Sequence, residues 1–144
     1  MSSTAICPDN SIWIRVFVDI DPRLAQVASS WIGNGIPLVA PSLVHYEFSH
    51  VLTRYVRNRR LAQLFAAELL DAALALDIDV IDNDDIHRLA LSHSTSIPGL
   101  SGYDAQYLAV CERKGAELWT ADKGLAAVSQ RLGVATRLWV TAPA

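Results

Sequence analysis

The sequence is poor in the features that usually fix a protein's class. It has only two cysteines, Cys7 and Cys111, far apart and outside any CxxC pattern, so neither a disulfide framework nor a thiolate zinc site is signalled. No GxGxxG or P-loop occurs, and no nucleotide cofactor is suggested. No basic n-region with an apolar h-region opens the chain. Residues 24–46 carry no charge, but Gly33, Asn34, Gly35, Pro37 and Pro41 interrupt them. A spanning helix needs about 20 largely apolar residues in an unbroken run. The expectation is a soluble, cytoplasmic protein. Basic charge is scarce too: 12 Lys and Arg face 15 Asp and Glu, for a formal net charge of −3. Such a balance excludes a protein that coats nucleic acid by bulk charge, but not one that cuts it.

What is present is a chain of 144 residues, 51% hydrophobic, which excludes intrinsic disorder. That length suits one domain over residues 1–144, able to bury roughly 68–70% of its unfolded surface without metal or disulfide staples. No internal repeat, low-complexity tract or linker divides it. Short strand-like runs alternate with helical ones. Strands are expected at Thr4–Cys7, Pro37–Ala40, Ile78–Ile81, Glu117–Thr120 and Thr136–Val140. Pro8-Asp9-Asn10-Ser11 reads as a turn cluster. Helices are expected over Leu24–Ile32, from an Ser42 N-cap to about Arg57, and over Leu61–Leu76. Three more run from about Asp84 to His93, from Ser101 to about Lys114, and from Asp122 to Gly133. Alternation of this kind implies an α/β fold with a mostly parallel sheet covered on both faces. In such sheets ligands bind beyond the carboxyl ends of the strands.

That geometry directs attention to acids just after strands. Asp9 follows the first strand and Asp122 the fourth; singly, an Asx-turn and a helix N-cap would explain them. Glu47 lies on the apolar face made by Val44, Phe48, Val51, Leu52 and Tyr55. A buried carboxylate there is costly unless paired or bound to metal, and the alternative is a Glu at the stripe's margin. Asp104 stands three residues after Ser101, which fits a capping box. Its helix is apolar nearly all round, so an acid at its start is delivered into the body of the protein. Four acids with no basic neighbour in sequence would repel one another in a small cleft. A hard divalent cation, Mg²⁺ or Mn²⁺, would relieve that repulsion and could activate water against a phosphodiester.

These residues, in this order, resemble the PIN-domain ribonucleases, and most closely the toxins of VapBC-type bacterial toxin–antitoxin pairs. The resemblance rests on Asp9-Asn10-Ser11, on Pro41-Ser42-Leu43-Val44-His45-Tyr46-Glu47, on the run from Leu100 through Ser101 and Asp104 to Ala109, and on Leu118-Trp119-Thr120-Ala121-Asp122-Lys123. It implies a three-layer α/β/α fold and a metal-dependent endoribonuclease. Carried over position by position, Asp9, Glu47, Asp104 and Asp122 would form the Mg²⁺ or Mn²⁺ site. Ser11 and Thr120 would support these acids or touch a phosphate. The implied reaction is hydrolysis of RNA by metal-activated water without a covalent intermediate. The implied partners are RNA, a second copy of the chain, and a cognate antitoxin that supplies DNA binding. Pro8 and Asn10 depart from the aliphatic and small residues usual beside the first acid, and Gly124 and Leu125 occupy a stretch where some relatives carry a further acid.

Other features admit bland readings. Arg54, Arg57, Arg59 and Arg60 could grip RNA phosphates, or could simply complement a helix C-terminus. Asp77, Asp79, Asp82, Asp84 and Asp85 form an opposite patch, expected to lie away from RNA. His45, His50, His87 and His93 lack zinc spacing, and Trp13, Trp31, Trp119 and Trp139 read as core or interface residues. Two rivals remain: a non-cleaving PIN-type binding module, and a phosphoacceptor receiver domain, which also gathers acids at strand ends.

Overall fold

In the computed structural model, which describes residues 4–141, strands and helices alternate as the hydrophobic pattern requires. The strands are β1 (Ile6–Pro8), β2 (Leu38–Pro41), β3 (Ile78–Ile81), β4 (Glu117–Thr120) and β5 (Thr136–Leu138). The helices are α1 (Asn10–Phe17), α2 (Pro22–Gly33), α3 (Leu43–Arg57), α4 (Gln63–Leu74), α5 (Asp84–Ser96), α6 (Gly102–Lys114) and α7 (Lys123–Arg131). All strand pairs are parallel, in the order β3-β2-β1-β4-β5. Right-handed crossovers put α1–α4 on one face and α5–α7 on the other, giving three layers. A receiver-type sheet would hold β1 between β2 and β3. Here β1 lies between β2 and β4, and that rival is set aside.

Burial explains the strand composition. β1 and β2 are buried at every residue, so they read as continuous apolar runs rather than alternating ones. Helix α6 is sandwiched between the sheet and α5, and buries Ala105, Tyr107, Leu108, Ala109, Val110 and Cys111. It stops at Gly115, whose φ of 60° suits glycine and whose N–H caps Cys111 O. The tryptophans form a chain through the core: Trp13 meets Trp31 at 6.3 Å, Trp31 meets Trp119 at 4.8 Å, and Trp119 meets Trp139 at 6.2 Å. The fold brings two cations onto its end that sequence order does not suggest, Arg137 over Trp119 and Arg23 over Trp139.

Three local expectations need correction. The Pro8–Ser11 turn cluster is the end of β1 and the start of a helix, α1, which the β-branched and aromatic run Ile12–Phe17 disguises. Asp9 nucleates that helix by accepting the Ile12 N–H at 3.3 Å, while Ile12 and Trp13 are buried. Ser42 stands before α3 in helical conformation and makes no side-chain cap. The expected Ser101–Asp104 box is half formed: Ser101 Oγ accepts the Asp104 N–H at 3.0 Å.

Pro8 acts as its chemistry demands. Ile6 donates its N–H to Pro37 O on the β2 side at 2.9 Å. Alternation turns residue 8 to the same side, where proline has no N–H to give. The β1–β2 register is accordingly the single pair Ile6↔Leu38, whereas β1 matches β4 over three residues. The central strand thus leans on β4, and their carboxyl ends are held in step.

Candidate active site

Strand order reverses between β1 and β4, and the crevice beyond their carboxyl ends is where open α/β sheets bind ligands. Asp9 occupies it. Its N–H donates to Trp119 O at 2.9 Å, tying the first residue after β1 to β4. Its carboxylate is buried, and both of its oxygens are hydrogen-bonded. Ser11 Oγ donates to Oδ1 at 2.5 Å, and Thr120 Oγ1 donates to Oδ2 at 2.5 Å. Each hydroxyl then accepts a backbone N–H from the turn after β4: Ser11 from Ala121 at 2.9 Å, Thr120 from Asp122 at 3.0 Å. Ser11 and Thr120 therefore bind Asp9 and the Asp122 turn into one unit.

Hydrogen bonds of this kind favour the ionised carboxylate, but removal from water opposes them and prevails. Burial raises the Asp9 pKa from 3.8 to about 6, against the pull of Ser11, Thr120 and the Ile12 N–H, with the Asp104 charge adding to the rise. Asp104 is raised by burial first and by the Asp122 charge second. Glu47 is raised by burial, then by Asp104 and Asp9, while a bond from Tyr107 opposes the shift. The four acids feel one another across three helix starts and one strand end. Among the described residues no Lys, Arg or His forms an ion pair with any of them.

Glu47 sits half-buried on the stripe that buries Val44, Phe48, Val51 and Leu52. Its partner is Tyr107 of α6, which donates its phenol to Oε1 at 2.5 Å. Sequence reading missed Tyr107 because its partner is 60 positions away. The available signal was its place three residues after Asp104 on a helix buried all round. Asp122 is exposed and N-caps α7, accepting the Leu125 N–H at 3.0 Å. Gly124 leaves room for it, since a Cβ there would stand 3.3 Å from Asp122 Oδ1.

The donor set is oxygen only, from carboxylates and hydroxyls, which suits a hard cation such as Mg²⁺ or Mn²⁺. Among the described residues no three His, Cys, Asp or Glu side chains converge closely enough to enclose an ion by themselves. Mg²⁺ does not require that: it keeps several waters and takes one or two carboxylates. The buried, protonatable Asp9 and the mutually repelling acids fit such an ion.

The remaining candidates lie apart. Arg54 and Arg57 are exposed in the last turn of α3, roughly 10 and 15 Å along the helix from Glu47, and the exposed Arg59 and Arg60 follow its end. Arg60 lies over the Tyr55 ring at 4.8 Å, and Tyr55 in turn donates to Asp19. His87 meets Asp82 at 2.8 Å and His93 meets Glu112 at 3.1 Å, so these two histidines face carboxylates singly. The acidic patch occupies edge strand β3 and the start of α5, with Asp85 paired to Arg113.

Fold and site together define an α/β protein with an acidic, oxygen-donor centre at the switch point of a parallel sheet. The chain belongs to the PIN domain family, whose model matches residues 6–130. No curated protein matches the sequence. Among solved structures, a protein of Pyrobaculum aerophilum shares 25% identity at a TM-score of 0.66, covering 92% of this chain and 83% of its own. VapC20 of Mycobacterium tuberculosis, a toxin that cleaves the sarcin–ricin loop, is 21% identical at a TM-score of 0.64, covering 85% and 93%. The VapBC2 complex of Rickettsia felis, bound to a promoter DNA fragment, contains a chain with 10% identity and a TM-score of 0.72, covering 95% and 100%. No helix among the described residues is long and apolar enough to cross a membrane.

Proposed function

We propose that this PIN-domain protein is a metal-dependent endoribonuclease that acts as the toxin of a toxin–antitoxin pair. The carrying observation is the buried Asp9 carboxylate, gripped by Ser11 and Thr120 at the sheet's switch point and coupled to Glu47, Asp104 and Asp122 without a cationic neighbour. In this reading those four acids hold Mg²⁺ or Mn²⁺. The ion, when bound, supplies a water acidic enough to attack and a positive charge against the phosphodiester oxygens.

The chain's own residues do the rest. Ser11 and Thr120 fix both oxygens of Asp9, so the carboxylate cannot swing away when protons leave it. Tyr107 holds Glu47 by one oxygen and leaves the other free to face the crevice or its water. Asp122, bonded through one oxygen to its own helix start, presents its second oxygen at the exposed rim. Asp9, raised to about 6, and Glu47 and Asp104, raised by burial, hold protons more readily than free carboxyls, which suits a site that must take one from water. Arg54, Arg57, Arg59 and Arg60, along and just beyond the end of α3, would meet RNA phosphates flanking the one that is cut.

Likeness in fold to VapC20 and to the VapBC2 toxin–antitoxin complex supports a cognate antitoxin as partner; a homodimer, and DNA contact only through the antitoxin, complete this reading. Cytoplasmic RNA is the substrate this reading requires. The test is induced expression in a bacterial host. The wild type arrests growth and fragments RNA, Asp104→Asn does neither at equal soluble level, and a short open reading frame beside the gene relieves the arrest. Arrest by Asp104→Asn as strong as by the wild type would overturn the reading.

A further inference from the structure

Two large aromatic rings stand in water beside the acids with no structural task. Tyr46 precedes Glu47 on α3 and is 72% exposed; Tyr103 precedes Asp104 on α6 and is 68% exposed. Among the described residues neither phenol has a hydrogen-bond partner, and the two rings do not stack on each other. Both line one cleft of about 490 Å³, with Asn10, Leu43, Glu47 and His50. That volume lies within the roughly 300–1,000 Å³ typical of small-ligand pockets. Both also line a second, smaller cleft of about 180 Å³ that continues past Ser42 and Gln106. The tyrosines thus form the partition between two adjoining hollows at the rim of the acidic centre.

Asn10 lines the larger cleft and follows Asp9 directly, which places that cleft next to the acidic centre rather than on a remote surface.

We propose that Tyr46 and Tyr103 form a nucleobase subsite that receives an unpaired base next to the scissile phosphate. The inference rests on the ribonuclease reading above, and adds to it which side chains meet the base beside the cut. Stacking needs an exposed base face, which a paired helix does not offer, and aromatic rings beside a phosphate-directed site meet that face. Asn10 and His50 line the same cleft beside the rings.

The test is fluorescence anisotropy with labelled eight-nucleotide RNAs in Ca²⁺, alongside cleavage of the same RNAs in Mn²⁺. Tyr46→Ala and Tyr103→Ala each weaken binding roughly 5- to 100-fold, as loss of one base stack does. Tyr46→Phe and Tyr103→Phe stay within about twofold of wild type, because the ring faces remain. An RNA abasic at one position binds wild type as weakly as the alanine variants bind the intact strand, and a blunt duplex binds poorly. Both tyrosines are solvent-exposed, so the variants fold. Cleavage by a wild type whose tyrosine variants bind and cut equally well overturns the subsite and leaves the nuclease standing. Binding with these ring effects but no cleavage overturns the nuclease and leaves the subsite. Tyrosine variants that change the oligomeric state and not RNA binding assign this face to protein contact, against the proposal.

Discussion

Tyr107 donates its phenol to Glu47 Oε1 at 2.5 Å, joining the buried helix α6 to the acid-bearing face of α3. Burial and the Glu47 charge hold the phenol well above its ordinary pKa, so it remains a neutral donor throughout the working range. Because the bond favours ionised Glu47, Tyr107→Phe raises the Glu47 pKa further. The expected outcome is an acidic limb of the pH–rate profile moved to higher pH, with a stability loss of about 1–3 kcal/mol for the orphaned carboxylate. Rate profiles and urea unfolding of both proteins check it. An unmoved profile would show that Glu47 does not need its partner.

Thr120 is the hinge between Asp9 and Asp122: it gives its proton to one and accepts the backbone N–H of the other. Thr120→Val preserves shape but removes both bonds at a fully buried position. Loss of such a supporting contact costs roughly 10- to 100-fold in metal affinity or activity. Stability falls by about 1–3 kcal/mol, since the Asp122 N–H and one Asp9 oxygen lose their partners. Mn²⁺ titration and unfolding measurements read the two effects separately, and Thr120→Ser should recover most of both.

The acidic centre makes the metal-free protein less stable as pH rises. Asp9 binds its proton up to about pH 6 when folded but only to 3.8 when unfolded. A raised folded pKa gives stability that is complete below the unfolded value and lost as pH climbs through about 6. The loss for Asp9 is about 3 kcal/mol at most, and Glu47 and Asp104 add to it in the same direction. Asp21, held low by the Trp139 indole N–H, and Asp85, held low by Arg113, keep their contribution throughout that window, because theirs is lost only at lower pH. Urea midpoints in EDTA should therefore fall between about pH 4 and about pH 7. Asp9→Asn flattens the decline, and Mg²⁺ or Mn²⁺ restores stability at the upper end.

Much of this was legible in the residues themselves. Strand–helix alternation and the buried α6 predicted a parallel sheet covered on both faces, and the order of Asp9, Glu47, Asp104 and Asp122 pointed to its carboxyl edge. What stayed hidden had physical causes. Helix α1 was missed because Ile12–Phe17 has strand-like composition, and only the Asp9 cap with burial of Ile12 and Trp13 makes it helical. The Tyr107–Glu47 and Thr120–Asp9 bonds link residues 60 and 111 positions apart, where no periodicity speaks. The arginine run at the end of α3 admits a phosphate grip or a solvated helix end, and its sequence does not choose between them.

If the coupled acids cut RNA with the help of a divalent ion, removing either the ion or an acid stops the cut. The most direct measurement is single-turnover cleavage of a panel of structured RNAs by wild type, Asp9→Asn and Asp104→Asn, in Mg²⁺, Mn²⁺ or EDTA. The account predicts cleavage by the wild type in either metal, none in EDTA, and a loss of at least about 100-fold in both folded variants. Cleavage that persists in EDTA, or full activity in Asp9→Asn and Asp104→Asn, would contradict it.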